Sequence, residues 1–95
     1  MARILKRPQA QTDLDEIWLY IAQENPEKAD AFLDEIEKRC RALAQSPFIG
    51  TSPDEIMAGL RSLAVASYLI FYLPIEGGID VVRVLHGMRD IDVLF

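Results

Sequence analysis

The sequence predicts an α+β domain in which a short N-terminal strand leads into an antiparallel helical hairpin packed on a mainly antiparallel, three- to four-stranded sheet. Three observations carry this expectation. The run 59–86, GLRSLAVASYLIFYLPIEGGIDVVRVLH, holds two segments, 67–73 and 79–86, rich in Val, Ile, Leu, Phe and Tyr, which suit a pleated, half-buried surface. Between them Pro74, Gly77 and Gly78 allow the chain to reverse, which predicts a β-hairpin. Upstream, apolar residues recur at helical spacing in two stretches divided by Asn25 and Pro26. A chain of 95 residues supports one core, so residues 1–95 are expected to form a single domain.

Taken in order, 2–7 reads as a strand, with Ile4 and Leu5 flanked by basic residues of the kind that protect a sheet edge. Pro8 suits the first turn of a helix, where its missing N–H costs nothing. Arg7 is a poor cap, whereas Thr12 followed by Asp15 resembles a capping box, so the helix is expected to firm up at Thr12. Ala10, Leu14, Ile17, Trp18 and Ile21 then share one broad face that should lie on the sheet. Asn25 can cap a second helix, Pro26 can take its first position, and Glu27 adds negative charge where the helix dipole favours it. That helix repeats the pattern with Ala29, Phe32, Leu33, Ile36, Cys40 and Leu43, and Ser46 and Pro47 stop it.

The connector 46–59, SPFIGTSPDEIMAG, is punctuated by Pro47, Gly50, Pro53 and Gly59. Loops this long in compact domains are often functional, and a helical turn over 54–57 would also fit. Residues 60–65 add a third strand to the meander, although Val65, Ala66 and Ser67 make a weak turn. Gly87 breaks the last strand. The tail 88–95 ends in Val93, Leu94 and Phe95, apolar residues that call for docking, at home or on a partner.

Composition narrows the function. A net charge of −5 argues against non-specific nucleic-acid binding, which needs clustered cations. After Gly59 the basic residues are Arg61, Arg83 and Arg89, with no lysine. One cysteine, Cys40, allows neither an intrachain disulfide nor a cysteine-based metal cage, and no metal or cofactor is expected. No apolar run approaches a membrane span and the N-terminal residues lack an export signal, so a cytoplasmic location is expected.

Phosphate-binding glycine loops, paired metal-binding histidines, C-x-x-C and G-x-S-x-G are all absent from the sequence. What remains is a set of polar residues toward the end of the sheet: Arg61, Tyr72, Arg83, His86 and Arg89. Strand arginines usually pair with a carboxylate such as Asp80 or Glu76, but two on neighbouring strands could also clamp an anion. His86 alone could transfer protons near neutrality, and a histidine closing a strand is more often a structural partner. Tyr68 and Tyr72 share a face by alternation, with rings buried and hydroxyls expected in water. Trp18, Phe32 and Cys40 read as core, and the helical acids, such as Asp30, Asp34 and Glu37, as a solvated face.

The order of elements and a set of residues together resemble the ParE toxins, within the RelE/ParE group of bacterial type II toxin-antitoxin systems. The matching positions are Pro8 and Ala10; Asp13, Leu14, Ile17, Tyr20, Ile21 and Ala22 in DLDEIWLYIA; Pro26, Ala29 and Phe32; Leu43, Pro47 and Gly50; Leu60 and Arg61; the IFY ending at Tyr72; and VLHGMRD. The resemblance implies a toxin held inactive by a cognate ParD-like antitoxin, which when freed blocks DNA gyrase by protein contact, in a plasmid-stabilisation or stress role. It implies no direct nucleic-acid binding except through the antitoxin complex. Arg61, Arg83, His86, Arg89 and Phe95 are the target-binding candidates; Trp18, Tyr20, Ile21 and Phe32, on a wide apolar stripe, are the antitoxin-binding ones.

The related RelE branch is an alternative. It cleaves mRNA on the ribosome, and Arg61, Arg83 and His86 would be its catalytic residues here. Ribonucleases of that branch carry lysines just before the Arg61 position, whereas this chain reads SPDEIMAGL there. So few cations would stabilise a phosphorane poorly, which favours the gyrase-directed branch. Arg7, where the family often has a small capping residue, is a second departure that bears on helix stability.

Overall fold

A computed structural model describes residues 2–52 and 57–87. The elements run β1 (Arg3–Lys6), α1 (Pro8–Ala22), α2 (Pro26–Gln45), β2 (Arg61–Val65), β3 (Tyr68–Ile75) and β4 (Gly78–His86). Four strands form one sheet in the order β1-β4-β3-β2. The meander β2-β3-β4 is antiparallel as expected, and β1 joins it parallel to β4, with Arg3 opposite Gly78 and Lys6 opposite Val81. The expected strand at 2–7, the helical hairpin and the meander are therefore all present. Residues 54–56 of the expected turn, Arg89 and the tail to Phe95 lie outside the described residues.

The helices start where their prolines sit. α1 begins at Pro8 with Arg7 as an uncapped N-terminus, and Thr12, instead of capping, donates its hydroxyl to the Pro8 carbonyl 3.1 Å away. The capping box at Thr12 is thus not formed: proline at the first position fixes the helical φ four residues earlier. Asn25 does cap α2, its side chain accepting from the Glu27 and Lys28 amides at 2.9 and 3.1 Å. The hairpin is closed by the bond between Trp18 Nε1 and Asp30 Oδ1, 2.8 Å, so Trp18 is half-buried rather than core and Asp30 is not simply solvated.

Between hairpin and sheet lies the main core, with Leu14, Ile17, Ile36, Cys40 and Leu43 from the helices against Val65, Ile70, Tyr72, Ile79, Val81 and Val84. Burial raises the Cys40 thiol pKa to about 11, with nearby Glu37 adding to the effect, so this thiol stays protonated. Alternation along the strands sends Leu60, Phe71, Val82 and Leu85 into a second cluster on the opposite face of the sheet.

Two turns differ from expectation. Pro74 is not a turn residue but belongs to β3, opposite Ile79. The geometry tolerates it because β2 ends at Arg61 opposite Tyr72, so no neighbour on that side needs an amide from Pro74. The reversal falls instead on Glu76 and Gly77, and Gly77 takes φ +80. The weak 65–67 signal has a physical cause as well: Val65 pairs directly with Tyr68, leaving a two-residue loop in which Ala66 is held at φ 54. Tight hairpin turns demand this left-handed region, usually from Gly or Asn. Ala66→Gly is accordingly expected to stabilise the domain by about 0.5–1 kcal/mol, read as a raised urea midpoint at unchanged slope.

Candidate functional site

The site grows from an irregularity in β4. Phe71 faces Arg83 while Tyr72 faces Val81, so β4 carries one extra residue and is bulged there. The bulge lets Val81 and Val84, three positions apart, enter the same core, which strict alternation would forbid. Arg83, between them, reaches α1. Its Nε and Nη2 donate to the two carboxylate oxygens of Asp13 at 2.7 and 2.8 Å, a bidentate fork. Asp13 also accepts the Val84 amide at 3.0 Å.

This third bond explains the position of Asp13. β1 ends opposite Val81, and the Arg7 amide bonded to the Val81 carbonyl at 3.0 Å is the last backbone contact along that edge. Beyond it the chain has turned into α1. The Asp13 carboxylate substitutes for the missing strand, satisfying both an edge amide and the guanidinium. The side chains of the pair are 12% and 8% exposed, so this is a nearly dry ion pair. Asp13 is thus not part of a solvated helix face. Nor does Arg83 pair with Asp80 or Glu76; Asp80 instead holds Arg7, whose Nη2 lies 3.1 Å away.

Alongside the pair, α1 and β4 border a groove of about 540 Å³ lined by residues that include Thr12, Glu16, Tyr20, Tyr68 and Arg83. At its sheet end the rings of Phe32 and Tyr68 are tilted at 5.4 Å, and His86 meets Tyr68 edge-on at 5.3 Å. Of the four residues expected to meet an antitoxin, Tyr20 is exposed, at 61%, beside Leu19 at 60%. Trp18 is half-buried, and Ile21 and Phe32 pack against the core.

Arg61 serves a different element. Its Nη1 donates to the carbonyls of Phe48 and Gly50 at 3.2 and 2.6 Å, and its guanidinium carbon sits 4.9 Å from the centre of the Phe48 ring. Tyr72 reinforces the same loop: its hydroxyl donates to the Pro47 carbonyl at 2.7 Å and accepts the Gly50 amide at 3.1 Å. The expected wet hydroxyl is therefore dry, because the connector folds back over it. Burial raises the Tyr72 pKa, partly offset by the Gly50 amide. Thr51 and Ser62 exchange backbone bonds of 3.0 and 2.8 Å, adding one rung to the outer edge of β2. Arg61, Arg83 and His86, grouped together by sequence, thus each answer to a different partner.

Sequence reasoning missed Asp13 as a site residue, although its place among the family-like positions was a usable signal. It also passed over Phe48 and Ile49, which the clamped loop holds 71% and 65% exposed. No helix among the described residues is long and apolar enough to cross a membrane.

A helical hairpin on a mixed four-stranded sheet, with an inward-facing ion pair and large apolar residues displayed outside, defines a small α+β domain. Comparison with known proteins identifies the family. A family profile described as "ParE toxin of type II toxin-antitoxin system, parDE" matches residues 4–91. "Toxin ParE1" from two strains of Mycobacterium tuberculosis is 40% identical over 93 residues, covering 96% of this chain and 95% of that protein. "Toxin ParE1" of Caulobacter vibrioides is 32% identical over 78 residues, covering 81% and 80%. A solved structure titled "Chromosomal ParDE TA system from P. aeruginosa" has the same fold, with a TM-score of 0.74 at 22% identity over 90% of this chain and 96% of that one. The chain belongs to the ParE toxin family and is a ParE-type toxin of a type II toxin-antitoxin system.

Proposed function

We propose that this toxin arrests growth by binding DNA gyrase through protein contact, without chemistry of its own, and that a ParD-like antitoxin neutralises it. The observation that carries this reading is the occupation of both strand arginines. Arg83 is forked onto Asp13, and Arg61 gives its Nη1 to two loop carbonyls while its guanidinium lies against the Phe48 ring, so both are committed within the domain and not paired with each other as a clamp for a scissile phosphate. Phosphoryl chemistry needs cations aimed at the developing charge. Protein recognition needs displayed apolar anchors, and Leu19, Tyr20, Phe48 and Ile49 are exposed. For the antitoxin, exposed Leu19 and Tyr20 beside the α1 groove offer a place for an amphipathic segment.

The experiment is a supercoiling assay with purified chain and gyrase, run beside an mRNA-cleavage assay in a purified translation system. Inhibited supercoiling with intact mRNA is expected, and His86→Ala should leave that inhibition within about threefold of the parent. Cleaved mRNA with normal supercoiling, abolished by His86→Ala, would reverse the assignment in favour of the ribonuclease.

A further inference from the structure

We infer that residues 88–95 double back at Gly87 and close the sheet face that the helices leave uncovered, with Ile91, Val93 and Phe95 lying on Phe71, Val82 and Leu85. The second apolar cluster contains no helical residue, because α1 and α2 pack on the other face. Yet Phe71 is 1% exposed, Val82 5% and Leu85 2%, values that an uncovered sheet face does not reach. This burial arises within one chain, so the cover is a segment of the chain itself.

Exposure across the face shows where the cover comes from. Directly opposed residues of antiparallel strands share a face, so Ala64 of β2, Leu69 of β3 and Leu85 of β4 form one row. Along it Ala64 is exposed, Leu69 half-buried and Leu85 buried. The cover is therefore deepest over β4 and runs out toward β2. Residues 53–56 belong to the connector, which meets the sheet at the outer edge of β2, the exposed end of this row. Met1 precedes Arg3, which pairs with Gly78 at the far end of β4 from Leu85. Residues 88–95 follow directly from β4, two positions after Leu85, where the chain turns at Gly87.

Length and pattern agree with this assignment. An extended tail of 88–95 reaches up to about 27 Å, against roughly 10 Å from Leu85 back to Val82 along the strand. Ile91, Val93 and Phe95 fall on alternate positions, so an extended tail turns them to one side and Asp90 and Asp92 to the other. Phe95 then belongs to the core and is not a contact for the target. The face on which a nucleic acid could lie is closed by hydrocarbon and edged with carboxylates, which a phosphate backbone avoids.

Methyl-labelled NMR on the full chain tests this. Cross-peaks from the Val82 and Leu85 methyls to those of Ile91 and Val93 are expected, with intensities that do not change on dilution. Cross-peaks to Ile56 in their place, cross-peaks that vanish on dilution, or Val82 and Leu85 methyls that meet nothing beyond the sheet would each overturn the inference. A second measurement uses the full chain carrying Val93→Asp and Phe95→Asp. It should at least about double the fluorescence of a dye that binds exposed apolar surface, and amide exchange in β3 and β4 should quicken. Ile56→Ser should do neither. Dye binding and exchange left unchanged in the double variant would assign the cover to another segment. Should the variant fail to fold, the cross-peaks of the parent decide.

Discussion

Asp13→Ala is expected to destabilise the domain by about 3–5 kcal/mol, enough to unfold a protein of this size or bring it close. The substitution removes the carboxylate onto which the nearly dry Arg83 guanidinium is forked and leaves the Val84 amide without the Asp13 acceptor. Urea unfolding should show a much lower midpoint. The loss belongs to removing one member of a nearly dry pair while keeping the other, and not to the pair as such. Asp13→Leu combined with Arg83→Met should therefore cost less than Asp13→Ala alone, since only the edge amide, worth about 1–3 kcal/mol, is then unsatisfied. If the double variant fell as far as the single, the carboxylate would be acting mainly through the amide. Arg83→Ala should also destabilise strongly, so its loss of toxicity would not by itself identify a target contact or a catalytic group.

Gly50→Ala, away from the ion pair, is expected to cost about 1–3 kcal/mol. A Cβ at Gly50 would lie 2.5 Å from the Tyr72 hydroxyl and 2.7 Å from the Ser62 carbonyl, both fixed by their own bonds. Relief requires pulling the loop off the sheet, which breaks the Tyr72 bond to Pro47 and the rung to Ser62. Thermal unfolding should register the loss, and amide exchange at Gly50 and Ser62 should quicken well beyond the global change. Tyr72→Phe removes the nearer obstacle, so Gly50→Ala should cost less in that background than in the parent. An unchanged cost would mean that the clash with the Ser62 carbonyl governs.

Much of this architecture could be read from the chain, and the failures share a cause. Helical periodicity and the Asn25-Pro26 junction located the hairpin because those signals are local. The strand segments were found to within one or two residues, since Val, Ile, Phe and Tyr density marks them wherever they pair. Asp13 was missed because its burial depends on a strand end and a bulge some seventy positions away, and bulges leave no compositional trace. Pro74 was misplaced because proline is disfavoured in strands only where a neighbour needs its amide, which depends on where β2 stops. Arg61 and Arg83 were grouped by residue type, whereas geometry gave one to a loop and the other to a helix. The resemblance to ParE toxins identified the family without revealing any of these pairings.

The parallel pairing of β1 with β4 bears on the order in which the domain is assembled. Arg3 finds its partner at Gly78, so the sheet can close only after nearly the whole domain has been synthesised. A ribosome still extending the message, or a product truncated before Gly78, holds a helical hairpin with only β2 and β3 to cover and an Asp13 without Arg83. The seam between the first strand and the last is therefore the final one to form, and it makes a single unit of elements that the chain delivers at opposite ends of the domain.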